Sequence, residues 1–148
     1  MKTFAAIGLL TVTLGLSACA PMQSKQVIAS SNAPAAIGPY SQAIQAGAFV
    51  FVSGQIAIDA QSKQLSTGGI EEQTALALDN IKAILAASGM TMANIVSTTV
   101  YLKNVDDFAK MNAVYAKYFG EAPPARATVE VSRLPRGAQI EIAATAAR

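Results

Sequence analysis

The chain has 148 residues and a formal net charge of +2, with 14% charged and 52% hydrophobic residues. That length suits one domain whose core needs no disulfide, and the scattered basic residues exclude the clustered positive footprint of a nucleic-acid binder. There is no histidine and a single cysteine, Cys19, which excludes histidine acid–base chemistry, most transition-metal sites and an intramolecular disulfide. Any chemistry is left to carboxylates, arginine, tyrosine, hydroxyls or backbone groups. So low a charge content also predicts apolar surface covered by self-association.

The N-terminus carries an export pattern. Lys2 supplies a positive first segment, and Phe4–Leu16 is apolar but too short to span a bilayer. Leu16-Ser17-Ala18-Cys19 is similar to a bacterial lipobox, whose cysteine forms the thioether to diacylglycerol and becomes the mature N-terminus. Ala18-Cys19-Ala20 is also an A-x-A site for ordinary signal peptidase. The expected organisation is a signal peptide over 1–18, a lipidated Cys19 and polar tether over 19–31, and one folded domain over 32–148. Several acyl chains give stable anchoring, and Ala20 in place of Asp suits the outer membrane, facing the periplasm. The alternative is a soluble periplasmic protein.

Within the domain, Gln42–Ala46 and Phe49–Ser53 flank Gly47 and read as a β-hairpin. Residues 59–69 read as a loop. The next element is a helix, capped by Thr67 or Gly68, with Glu71 and Glu72 at its positive end. Ala77, Ile81, Ile84 and Leu85 repeat on one face, and Gly89 fits the position after a Ser88 cap. Ile95–Leu102 alternates and is rich in β-branched residues, so it reads as a strand. Asp106 and Asp107 open a second helix bearing Phe108, Met111, Tyr115, Tyr118 and Phe119, which Gly120 and Pro123-Pro124 end. Strands Ala127–Ser132 and Ala138–Ala146 follow, joined through Leu134-Pro135-Arg136-Gly137 as a type I turn. The order is ββαβαββ, an α+β arrangement with two helices on one face of a mixed sheet.

Five short strings stand in order along this domain: IGPYSQA (Ile37–Ala43), VSGQI (Val52–Ile56), NAVYAKYFG (Asn112–Gly120), PPARATVEV (Pro123–Val131) and QIEI (Gln139–Ile142). Together they resemble the Rid (YjgF) family of enamine/imine deaminases, from about Ile28 onward. The resemblance implies a chorismate-mutase-like fold. It also implies a homotrimer whose sheets form a central β-barrel, with active sites in the clefts between subunits.

Arg126 offers a planar fork of donors suited to a carboxylate, although pairing with Glu130 or Glu121 is an alternative. In the family, the arginine of the matching P-x-R-x-x-V-x-V string holds the carboxylate of the imino acid. Glu141, between Ile140 and Ile142, is either a solvated strand position or, as the resemblance implies, the group that positions or activates water. Pairing Thr128 opposite Glu141 in a hairpin puts them on one face, whereas a one-residue slip separates them. The resemblance further implies that Tyr40 lines the pocket, that Ser53 and Gly54 approach the substrate and that Asn112 stands near the subunit cleft. A packed aromatic at Tyr40 and a solvent-facing residue at Asn112 are the plainer readings. Thr128 stands where many family members carry cysteine, which excludes thiol chemistry there.

The expected function is hydrolysis of 2-imino acids or their enamines, such as 2-iminobutanoate and 2-iminopropanoate, to 2-oxo acids and ammonia. Arg126 and Glu141 would be catalytic, and Tyr40, Ser53, Gly54, Asn112, Arg126 and Thr128 would bind substrate. No cofactor, metal or nucleic acid is expected. The alternative is a non-catalytic, holdase-like or small-carboxylate-binding envelope lipoprotein.

Overall fold

A computed structural model describes residues 24–148. The signal segment, the lipobox and Cys19 lie outside the described residues. The elements are β1 (Gln26–Ile28), β2 (Ala43–Ala46), β3 (Phe49–Ile56), α1 (Ile70–Ala87), β4 (Ile95–Leu102), α2 (Phe108–Phe119), β5 (Ala125–Glu130) and β6 (Ile140–Ala147). One six-stranded sheet runs in the order β1-β2-β3-β6-β4-β5. Only β4 and β5 pair in parallel; the other neighbours are antiparallel. A mixed sheet with two helices is the expected α+β architecture, with one strand added at the N-terminal edge.

Alternation of side chains decides which face is covered. Val50, Val100, Leu102, Ile140, Ile142 and Ala146 are fully buried, and so are Leu78, Ile81, Ile84 and Leu85 of α1 and Met111 of α2. They form one continuous core, each large side chain contributing about 1.5–3 kcal/mol. The four residues expected on the inner face of α1 are all within it. Among the described residues no helix covers the opposite sheet face, where Phe49, Phe51 and Val129 are nearly half exposed.

Several expectations need correction. The tether reading fails at Gln26–Ile28, which pair with Gln45–Ala43 to extend the sheet. The N-cap of α1 is Gly69, not Thr67 or Gly68; Gln73 closes that end by donating its amide to the carbonyls of Ser66 and Gly68. Asp106 and Asp107 belong to a 3-10 turn before α2, held by Asn104, whose side chain accepts from the Asp106 N–H. The last two strands are not a hairpin: β4 lies between them, because α2 carries the chain back over the sheet to lay β5 parallel to β4. Nor is the connection a type I turn, since Arg136 is left-handed at φ 57° where that turn needs φ near −90°. The turn has no tight hairpin to close. Arg136 is held instead by its own bond to the Lys63 carbonyl.

Candidate active site

A β-bulge sets the geometry of the first recess. Val52 faces Ala144 and Gln55 faces Ile142, so Ser53 and Gly54 together oppose one residue of β6. Bulges re-aim side chains and recur beside active sites. Freed from the regular ladder, Ser53 donates its N–H to Gln42 O (3.0 Å) and its hydroxyl to Ser41 O (2.7 Å). Gly54 is left directly against Glu141. A Cβ at Gly54 would fall on the Glu141 carboxylate, within 2.7 Å of its Cδ, so any larger residue displaces that side chain, and glycine is favoured here by close approach rather than by backbone angle.

Buried Gln42 organises the opposite wall. Its side-chain carbonyl accepts from Ser30 N–H (2.6 Å), and its amide donates to Pro34 O (2.7 Å), Ser30 O (3.1 Å) and Ala33 O (3.3 Å). This pins the 30–37 segment beside the sheet. Tyr40 then curls over Gly38, and its hydroxyl accepts from the Ile37 N–H at 3.3 Å. The resulting open cavity has a volume of about 340 Å³ and is lined by Tyr40, Ser53, Gly54 and Glu141, among apolar residues such as Ile37 and Ile56. That is within the range of small-molecule sites.

Glu141 is the one carboxylate lining this cavity. Burial pushes its pKa above the usual carboxylate range, because desolvation penalises the charged form. No other influence on it is resolved, and no hydrogen-bond donor reaches it among the described residues.

Arg126 stands elsewhere. Across the sheet it aligns with Thr98 and Ala144, and Glu141 aligns with Tyr101 and Val129. Residues in one cross-strand row share a face, and Ala144 is three positions from Glu141 on β6. The two side chains therefore leave opposite faces of the sheet. Arg126 emerges on the helix side, its Cζ 4.5 Å from the centroid of the Tyr115 ring and 5.7 Å from that of Phe108. Such stacking is favourable for a guanidinium. Glu130, a candidate ion-pair partner, instead accepts the Val105 N–H at 2.8 Å. Asn112 and Arg126 line a second recess with Tyr115, Phe119 and Pro124.

The expected site residues thus fall into two groups within one chain: Tyr40, Ser53, Gly54 and Glu141 around one cavity, and Asn112 and Arg126 around another. Thr128 is half-buried and aligns with Val100 and Ile142, so it does not share a face with Glu141. Gln42 and Tyr115 are the structural partners that sequence reasoning missed. A buried glutamine carries no periodic signal, and Tyr115 reads as an ordinary core aromatic.

The family model described as "Endoribonuclease L-PSP" matches residues 30–148. A RutC family protein of Pyrococcus horikoshii is 57% identical over 122 residues, covering 82% of this chain and 97% of that protein. The 2-iminobutanoate/2-iminopropanoate deaminase of Mus musculus is 46% identical, covering 82% and 90%. Among solved structures, the YjgF gene product of E. coli superposes with a TM-score of 0.79 at 44% identity, covering 83% of this chain and 98% of that one. Matches of this extent and identity show that the chain belongs to the Rid (YjgF, endoribonuclease L-PSP) family.

Proposed function

We propose that this protein hydrolyses 2-imino acids to 2-oxo acids and ammonia without a cofactor. The observation that carries the reading is the half-buried Glu141 carboxylate, set against Gly54 in a cavity large enough for a small metabolite. The murine relative named for this activity supports it. Water adds through its oxygen to C2 of the protonated imine, giving a carbinolamine. The proton lost by the water returns to nitrogen, the C2–N bond breaks as the hydroxyl gives up its proton to form the carbonyl, and nitrogen leaves as ammonia. The protonated imine is already electrophilic, so the protein need only bind it, place the water and move a proton. Glu141 accepts a hydrogen bond from that water or takes its proton, a role for which an upward-shifted carboxylate is suited.

Arg126 fixes the substrate carboxylate. Since Arg126 and Glu141 leave opposite faces of one chain's sheet, the complete site requires the Arg126 of a second copy. The exposed Phe49, Phe51 and Val129 supply an apolar face for that association, and a homotrimer is the assembly we infer. We further infer an envelope location, from the apolar Phe4–Leu16 stretch and the cysteine that follows it.

The test is ammonia release from 2-iminobutanoate generated in situ, for the wild type, Arg126→Ala and Glu141→Ala, alongside native mass spectrometry. Acceleration that is lost in both variants supports the reading. A verified oligomer that binds 2-oxobutanoate yet gives no acceleration over buffer would overturn it in favour of a binding protein.

A further inference from the structure

Two non-glycine residues among those described take a left-handed backbone: Lys63 at φ 61° and Arg136 at φ 57°. Both are basic, and both line one groove of about 720 Å³. Arg136 donates from Nη1 to the Lys63 carbonyl at 3.1 Å, so the two meet although 73 positions separate them in the chain. Left-handed backbone is unfavourable for a residue with a Cβ and persists only where the surroundings enforce it, often where function gains from it. Here both residues are exposed and stand on the same groove.

The groove has apolar walls, including Val27, Ile28 and Pro34, and no carboxylate lines it. Asp59, the nearest acidic residue along the Lys63 loop, has its carboxylate engaged by the Ser62 N–H at 2.7 Å. The groove also runs into the Glu141 cavity. Ile37, Tyr40, Gln42 and Ile58 line both, and Pro135 of the cavity wall immediately precedes Arg136. The two basic residues thus line a groove continuous with the cavity that holds Glu141.

We propose that Lys63 and Arg136 form an anion subsite that takes the second, distal carboxylate of a dicarboxylic substrate. The subsite names a substrate class for the proposed deaminase and rests on that reading for turnover, though not for binding. One Arg136 N–H is spent on Lys63, which fixes the fork. The remaining guanidinium donors and the Lys63 ammonium are available for charge-assisted bonds.

Isothermal titration of the full chain with 2-oxoglutarate and with 2-oxobutanoate tests this. The first carries the distal carboxylate and the second lacks it. The expected result is an affinity about tenfold or more in favour of 2-oxoglutarate, the scale of a charge-assisted contact. The preference collapses toward unity in Lys63→Ala and in Arg136→Gly. Glycine suits the left-handed backbone at 136, and an unchanged melting temperature of that variant separates its loss of preference from a loss of structure. Arg136→Lys retains part of the preference. Equal affinities in the wild type, or a preference that survives both substitutions, would overturn the subsite. A wild type that prefers 2-oxoglutarate but accelerates no imine hydrolysis supports the subsite while removing the deaminase.

Discussion

The Arg126 guanidinium lies 4.5 Å over the Tyr115 ring, and the hydroxyl of that ring is buried 2.7 Å from Thr98 Oγ1. Tyr115 thereby joins the carboxylate-binding candidate to the core of the sheet. The two functions of this side chain are separable. Tyr115→Phe keeps the aromatic face but leaves the buried Thr98 hydroxyl without its partner. It should lower unfolding stability by about 1–3 kcal/mol with little change in 2-oxobutanoate affinity. Tyr115→Leu removes the face as well, and affinity should fall several-fold, in line with a cation–π contact of about 0.5–2 kcal/mol. Urea denaturation and ligand titration on both variants check the split.

Gly54→Ala should damage activity out of proportion to stability. The added methyl occupies the position of the Glu141 carboxylate, and the flexible glutamate end moves more readily than the strands. Turnover should drop at least as far as loss of a positioned general base implies, about 100-fold. The melting temperature should move by only a few degrees, as for a substitution costing about 1 kcal/mol.

The pH dependence of the catalysed rate should place Glu141. Burial raises its pKa, so the ionised form is lost on acidification at a higher pH than for a free glutamate, whose value is about 4.3. Catalysis above the buffer rate should therefore decline on the acid side before an ordinary carboxylate titrates, and Glu141→Gln should abolish that limb along with the activity. A catalysed rate that persists unchanged to about pH 4 would remove Glu141 from the role of base.

Alkaline stability should report two tyrosines. Burial raises the pKa of Tyr115. Burial and the neighbouring Asp79 carboxylate push Tyr118 up to about 12, its hydroxyl donating to Asp79 Oδ1 (3.1 Å) and Ala75 O (3.2 Å). Phenols whose folded pKa exceeds the unfolded value of about 10 contribute stability that is complete below pH 10 and lost as pH rises toward 12. Phenolate absorbance from these two should appear at higher pH in the native protein than in urea, and Tyr118→Phe should remove one late component.

The helices and the strand Ile95–Leu102 were legible because each depends on a local rule. An apolar repeat, a glycine beyond the last turn and β-branched alternation are written into contiguous residues. What failed was pairing between distant residues. A hairpin of β5 and β6 follows from their adjacency in the chain, yet α2 buries Met111 and Tyr115 in the core and the chain after it lays β5 on the far side of β4. The register of Glu141 followed from that choice, as did its separation from Arg126. Gln26–Ile28 is too short to show a period, and the bulge at Ser53–Gly54 depends on a partner strand almost ninety residues away. The motif strings mark the site residues, and the family they resemble implies sites between subunits, but which residues leave which face of the sheet depends on the strand order.

The strand order also sets a schedule. β6 is the last of the six strands to be synthesised, but it lies between β3 and β4, and Ile140, Ile142 and Ala146 occupy the centre of the core. Until it emerges, β3 has no partner on its inner edge, and α1 has only part of the surface it covers. A nascent chain released through residue 139 holds two unjoined half-sheets with exposed apolar edges. Closure, which awaits these long-range contacts, comes as one late event rather than as a gradual accretion from the N-terminus.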